Sequence, residues 1–144
     1  MANTFDVDVS AKSLSVEDEG LVVDIFDPQG DPVFDAEGKP VTVTVAGEYS
    51  VKYRKAEEWR RKHLQRLHGK EQTGAEALKM DAEFVARCCF GWNGFMQGGQ
   101  SINFSTENAT MVFQKLPFVR KRVELSIGDH AAFFARGSTN SAST

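Results

Sequence analysis

Cysteine, histidine and proline are scarce in this 144-residue chain, which has two, three and four of them. The cysteines, Cys88 and Cys89, are neighbours. A relaxed disulfide needs Cα atoms ~4.4–6.8 Å apart with facing side chains, so a disulfide-stapled secreted fold is excluded. His63 and His68 are five apart and fall on different helix faces, a poor metal pair, and no further cluster completes a ligand set. No apolar run approaches the ~20 residues of a membrane span. Residues 1–8 have neither the basic flank nor the apolar core of a signal peptide. Without export, the glycosylation patterns at Asn103 and Asn108 are coincidental. Gly91, Gly94, Gly98 and Gly99 fit neither glycine pattern that cradles a nucleotide. The acid-rich start does not match the twelve-residue calcium loop. No metal and no cofactor are expected, and no set of residues stands out as a catalytic constellation.

What is present is ordinary in amount and unusual in order. Hydrophobic residues make up 41% and charged residues 26%, the usage of a globular domain. Residues 1–49 hold 11 acids against 2 bases, residues 50–70 hold 8 bases against 2 acids, and residues 71–144 hold 7 of each. The overall charge of −3 hides this segmentation. The basic stretch reads first as a solvated helix face that offsets the acidic segment. A nucleic-acid footprint is the alternative, but Tyr53 and Trp59 alone do not make a stacking platform, so nucleic acid is not the expected partner.

The chain opens with a β element. Residues 21–26 read as a strand, Val33-Phe34 as a short one, and Val41-Thr42-Val43-Thr44-Val45 as the cleanest strand, with valines on one face. Turns occupy 27–32 and 37–40, and no internal repeat is evident. From Ser50 the period changes to helical, with a thin stripe of Tyr53, Ala56, Leu64 and Leu67 closed at His68-Gly69. Thr73, with Glu76 three residues on, caps a second helix, whose stripe runs Ala77, Met80, Phe84, Cys88 and Trp92. A glycine-rich loop follows to Phe104. Ser105 or Thr106 caps a third helix, with Glu107 and Asn108 in its first turn. Pro117 ends that helix and suits the first turn of a fourth, striped by Val119, Val123, Ile127, Ala131 and Phe134. Residues 136–144 read as a flexible Ser/Thr-rich tail.

The expected fold is α+β: an acidic N-terminal antiparallel β element over 1–49, about four helices in a compact bundle over 50–135, and the tail. The sheet is expected to cover one side of the basic helix or to stand as a semi-independent unit. The candidate partner-binding residues are the aromatics Trp92, Phe95, Phe118, Phe133 and Phe134 and the basic Arg60, Arg61 and Arg66. Eleven Phe are many for a small core, and rings left outside mark partner surfaces. Trp92 reads first as a core plug.

Residues 86–134 carry a resemblance. Ala86-Arg87-Cys88-Cys89-Phe90-Gly91-Trp92-Asn93-Gly94-Phe95, then Phe104-Ser105-Thr106-Glu107-Asn108-Ala109, then Leu116-Pro117-Phe118-Val119, resemble in order the tail assembly chaperones of long-tailed bacteriophages. The stretches "DPQGDPV" and "KPVTVTVAGEYS" and the basic helix extend the likeness over most of the chain. The resemblance implies a non-enzymatic protein of the infected host's cytoplasm. It would bind the tape measure protein and tail tube protein during tail morphogenesis and be absent from the finished virion. Self-association and a longer, frameshifted form are further implications. The competing readings are a structural tail or head–tail connector protein retained in the particle, and a nucleic-acid-binding protein using the basic helix 50–70.

Overall fold

The computed structural model describes residues 15–135; the expected tail at 136–144 and the first 14 residues of the expected β element lie outside them. The elements run α1 (Ser15–Glu19), β1 (Leu21–Asp24), β2 (Thr42–Val45), α2 (Val51–Arg66), α3 (Gly74–Arg87), β3 (Cys89–Asn93), β4 (Met96–Gln97), β5 (Gln100–Ser101), α4 (Thr106–Lys115) and α5 (Pro117–Ile127). A last helical segment, α6, spans 130–135. The fold is α+β, as expected.

The main sheet is antiparallel in the order β1-β2-β3. Val43 and Val45 of β2 are fully buried, as their alternation with threonine requires. The third strand corrects the sequence reading in two ways. The expected helical stripe through Cys88 and Trp92 ends at Arg87, with Cys88 as its C-cap, and residues 89–93 turn into β3. The i, i+4 spacing of Phe84, Cys88 and Trp92 is real, but the free edge of β2 offers residues 89–93 a hydrogen-bonding partner that sequence periodicity does not register. The sheet therefore draws on both sides of residue 50. Its companions also differ from expectation. The helices that pack most on the strands are α5 and α3, whereas α2 packs on α3. In α2 only Ala56 is buried, while Tyr53 and Trp59 are partly covered and Leu64 is exposed.

Residues 26–41 contain a repeat that the sequence reading missed. Phe26-Asp27-Pro28-Gln29-Gly30-Asp31-Pro32-Val33 and Phe34-Asp35-Ala36-Glu37-Gly38-Lys39-Pro40-Val41 are two copies of Phe-Asp-x-x-Gly-x-Pro-Val. Their geometry repeats too. Asp27 Oδ1 accepts the amides of Gln29 and Asp31, both at 2.9 Å, and Asp35 Oδ1 accepts those of Glu37 and Lys39, both at 2.9 Å. Gly30 and Gly38 supply the positive φ, +90° and +81°. Each loop returns the chain to the core, and Ile25, Val33 and Val41 close a ring of main-chain bonds: Val33 N to Ile25 O at 3.1 Å, Val41 N to Val33 O at 2.9 Å, Ile25 N to Val41 O at 3.0 Å. The expected strand at Val33-Phe34 is thus a pair of isolated bridges, Phe26 with Pro32 and Phe34 with Pro40.

The expected loop from 91 to 104 contains a hairpin, β4–β5, turned by Gly98 and Gly99, both at positive φ. The helix caps follow the sequence. Ser50, Thr73 and Ser105 accept the amides of Tyr53, Glu76 and Asn108, and Pro117 opens α5. Ser105, not Thr106, is the cap of α4; Glu107 sits in its first turn, and the Asn108 side chain donates to Asn103 O at 2.9 Å. The expected fourth helix breaks at Gly128. Asp129 starts a new turn by accepting the amide of Ala132, and the phase resets, so Phe133 is buried and Phe134 exposed.

Candidate protein-interaction surface

Of the five aromatic candidates, two are enclosed. Phe133 is fully buried and Phe95 nearly so; as the chain stands, neither side chain is presented to a partner. Phe133 goes inside because the break at Gly128 rotates α6 relative to α5, which no single helical period foresees. Trp92 is partly buried. Its Nε1 donates to Ile102 O at 2.8 Å, and its ring meets Phe95 at 4.7 Å and Phe104 edge-on at 5.2 Å. It clamps the β4–β5 hairpin to the sheet, the plug reading. Phe118 is partly covered against the core, and Phe134 is exposed.

The three basic candidates are exposed on α2. Arg60 is also a packing residue, with its guanidinium 4.7 Å from the centre of the Phe84 ring. Arg87 of α3 reciprocates, lying 4.5 Å from the Trp59 ring while pairing with Glu83 at 2.9 Å. Arg60 and Arg61 border a depression of about 470 Å³ with Tyr53, Leu64 and Phe84. Among the described residues the basic stretch forms no ion pair with the acidic segment; the ion pair formed by α2 is internal, Lys62 with Glu58 at 3.1 Å.

A surface that sequence reasoning missed runs along α4. Met96, Ile102, Met111 and Leu116 line an apolar groove of about 190 Å³ with Lys115 on its rim. Met96 and Leu116 are 45% and 37% exposed. Met111 also borders a second depression, of about 580 Å³, which reaches Arg87 and Thr106. Those two residues in turn border a third, of about 200 Å³, with Lys52 and Lys55. Met111 thus stands between the first two depressions and Arg87 and Thr106 between the second and third; the groove beside Leu116 is apolar, the middle depression also carries Glu83 and Glu107, and the one beside Lys52 is cationic. The only sequence signal for the groove is that Met96 and Leu116 stand beside breaks, the glycine hairpin and Pro117.

The reactive groups are elsewhere occupied. Burial pushes the Cys88 thiol up to about 12 and that of Cys89 higher still, and Cys89 Sγ donates to Val85 O at 3.3 Å, so neither is a ready nucleophile. Among the described residues no group of three or more His, Cys, Asp or Glu is placed to hold a metal ion. Likewise no described helix is long and apolar enough to cross a membrane.

One charged cluster is partly enclosed, with Glu17 inside and Glu48 at its rim. Glu17 of α1 has a fully buried side chain. Its Oε1 accepts the amide of Tyr49 at 3.1 Å and its Oε2 lies 3.1 Å from His130 Nδ1. His130 Nε2 lies 3.2 Å from Glu48 Oε2, and the Tyr49 ring stacks on the imidazole at 4.5 Å. The Glu17 hydrogen bond is the largest influence and raises the His130 pKa above its ordinary value; burial, the next largest, opposes it, and the Glu17 charge, the Glu48 hydrogen bond and the Glu48 charge add to the rise in that order. Residues 113 positions apart in sequence meet here, so no local pattern announces the cluster. Comparison of the chain with family models, with curated proteins and with solved structures finds no match.

Proposed function

We propose that this chain is a non-enzymatic tail assembly chaperone of a long-tailed bacteriophage, acting in the host cytoplasm on the tape measure and tail tube proteins and leaving before the virion is complete. The ordered motifs from Ala86 to Val119 suggest the family, and the apolar groove along α4, with Met96 and Leu116 exposed, is the observation that carries the reading. A holdase must offer apolar surface to a client that would otherwise aggregate, and carry enough charge to stay dissolved itself. Met96 and Leu116 give an apolar seat, while the cationic depression at Lys52 and Lys55 steers acidic flanks of a client and speeds encounter more than it adds affinity.

The test is co-expression with the tape measure protein of the same phage. The wild-type chain should keep that protein in the soluble fraction. The double variant Met96→Asp, Leu116→Asp changes only exposed positions and should keep its own circular dichroism spectrum while the client precipitates. Equal recovery of client with the variant would sink the assignment of this surface. Precipitation with both would sink the chaperone reading.

A further inference from the structure

His130 is the first residue of α6, and it is held by charge from two other parts of the chain. Its two ring nitrogens each face a carboxylate oxygen, Glu17 at 3.1 Å and Glu48 at 3.2 Å. A neutral imidazole has one N–H and would turn a lone pair toward one of them; only the imidazolium donates to both. Among the described residues no lysine or arginine pairs with either carboxylate, so His130 is the cation that compensates the buried Glu17. The groups facing the ring are Glu17 from α1, Glu48 from the turn before α2, and Tyr49 stacked on its face. The next turn of α6 carries Phe133 into the core. A hinge precedes the segment: α5 ends at Ile127, Gly128 caps it, and Asp129 starts α6 afresh.

We propose that residues 130–135 are a strap, latched across the core while His130 carries its second proton and released when that proton passes to solvent. The latched cluster holds two negative charges and one positive. After release of the proton the two carboxylates face an uncharged ring, one of them against a lone pair, and the buried Glu17 has lost its counter-charge. Swinging the strap out at Gly128–Asp129 lets water reach Glu17 and withdraws Phe133, leaving an apolar seat at the surface. The partners on the other side stay fixed, because Gly47 N donates to Glu17 O at 2.9 Å and Glu48 N to Ile127 O at 3.1 Å.

Nuclear magnetic resonance titration of the full chain gives the midpoint for His130. Hydrogen exchange at the Ala132 and Phe133 amides, corrected for intrinsic base catalysis, reads the strap. Across the His130 midpoint these amides should lose about tenfold or more of their protection, while Val43 and Val45 in β2 keep theirs. Glu48→Gln removes one carboxylate at the rim and should move both the midpoint and the exchange transition to lower pH together. His130→Gln should abolish the transition. Strap protection that is the same on both sides of the midpoint overturns the proposal, as does opening of β2 in step with α6, or a transition in Glu48→Gln unmoved from wild type.

Discussion

Gly47 and Gly91 differ in what a single methyl group would meet. A Cβ at Gly47 would run into the Glu17 side chain, whereas one at Gly91 would meet no atom within 4 Å. Gly47→Ala is therefore expected to destabilise the fold by about 1–3 kcal/mol, the range for forced overpacking, with added loss where Glu17 is driven off His130. Gly91→Ala, in β3 at negative φ, is expected to stay within about 1 kcal/mol of wild type. Urea denaturation of the two variants checks the contrast. His130 adds a pH dependence whose sign is fixed by its environment. Its folded pKa is raised above 6.5, so the contribution to stability is complete below that ordinary value and disappears as pH climbs through the folded value. Neither residue was legible beforehand: Gly47 sits in an unremarkable Ala-Gly-Glu run, and His130 in the sequence is only a histidine without a metal-ligand partner.

At the scale of elements, the twin loops make the sharpest prediction. In each, one carboxylate oxygen holds two amides, so Asp27→Ala should free the amides of Gln29 and Asp31, and Asp35→Ala those of Glu37 and Lys39. Exchange at those amides should rise about five- to tenfold in the altered loop and stay unchanged in its twin. Asp→Asn, which keeps the acceptor oxygen, should leave both loops intact. Coupled loss of the two loops would show that the ring of Ile25, Val33 and Val41 is one unit, not two. The repeat hid in the sequence because the variable positions differ in charge, Asp31 against Lys39 and Gln29 against Glu37, so turn chemistry was visible and periodicity was not. The helix starts were visible for the opposite reason. A cap is settled by residues three apart, and Thr73, Ser105 and Pro117 act locally whatever the rest of the chain does.

At the scale of the whole molecule, Cys88 and Cys89 lie where α3 hands over to β3, both buried and with raised thiol pKa values. Because β3 completes the sheet begun by β1 and β2, exposing either thiol requires parting the two halves of the chain. A thiol reagent should label them at least ~10³-fold more slowly than the unfolded chain, with the denaturant dependence of global unfolding. Fast labelling with little denaturant dependence would mean that the helical half opens on its own. Local sequence was enough for the mixed α+β class, the β2 valine face, the helix caps and the segmented charge, because each depends on neighbours within about one turn or one strand. Tertiary structure alone decided that residues 89–93 leave the helix for the sheet, that Phe133 faces inward and Phe134 outward, and that Met96, Met111 and Leu116 share a groove. Those outcomes depend on which hydrogen-bonding edges and apolar faces remain open once distant segments have met, and no local period carries that information.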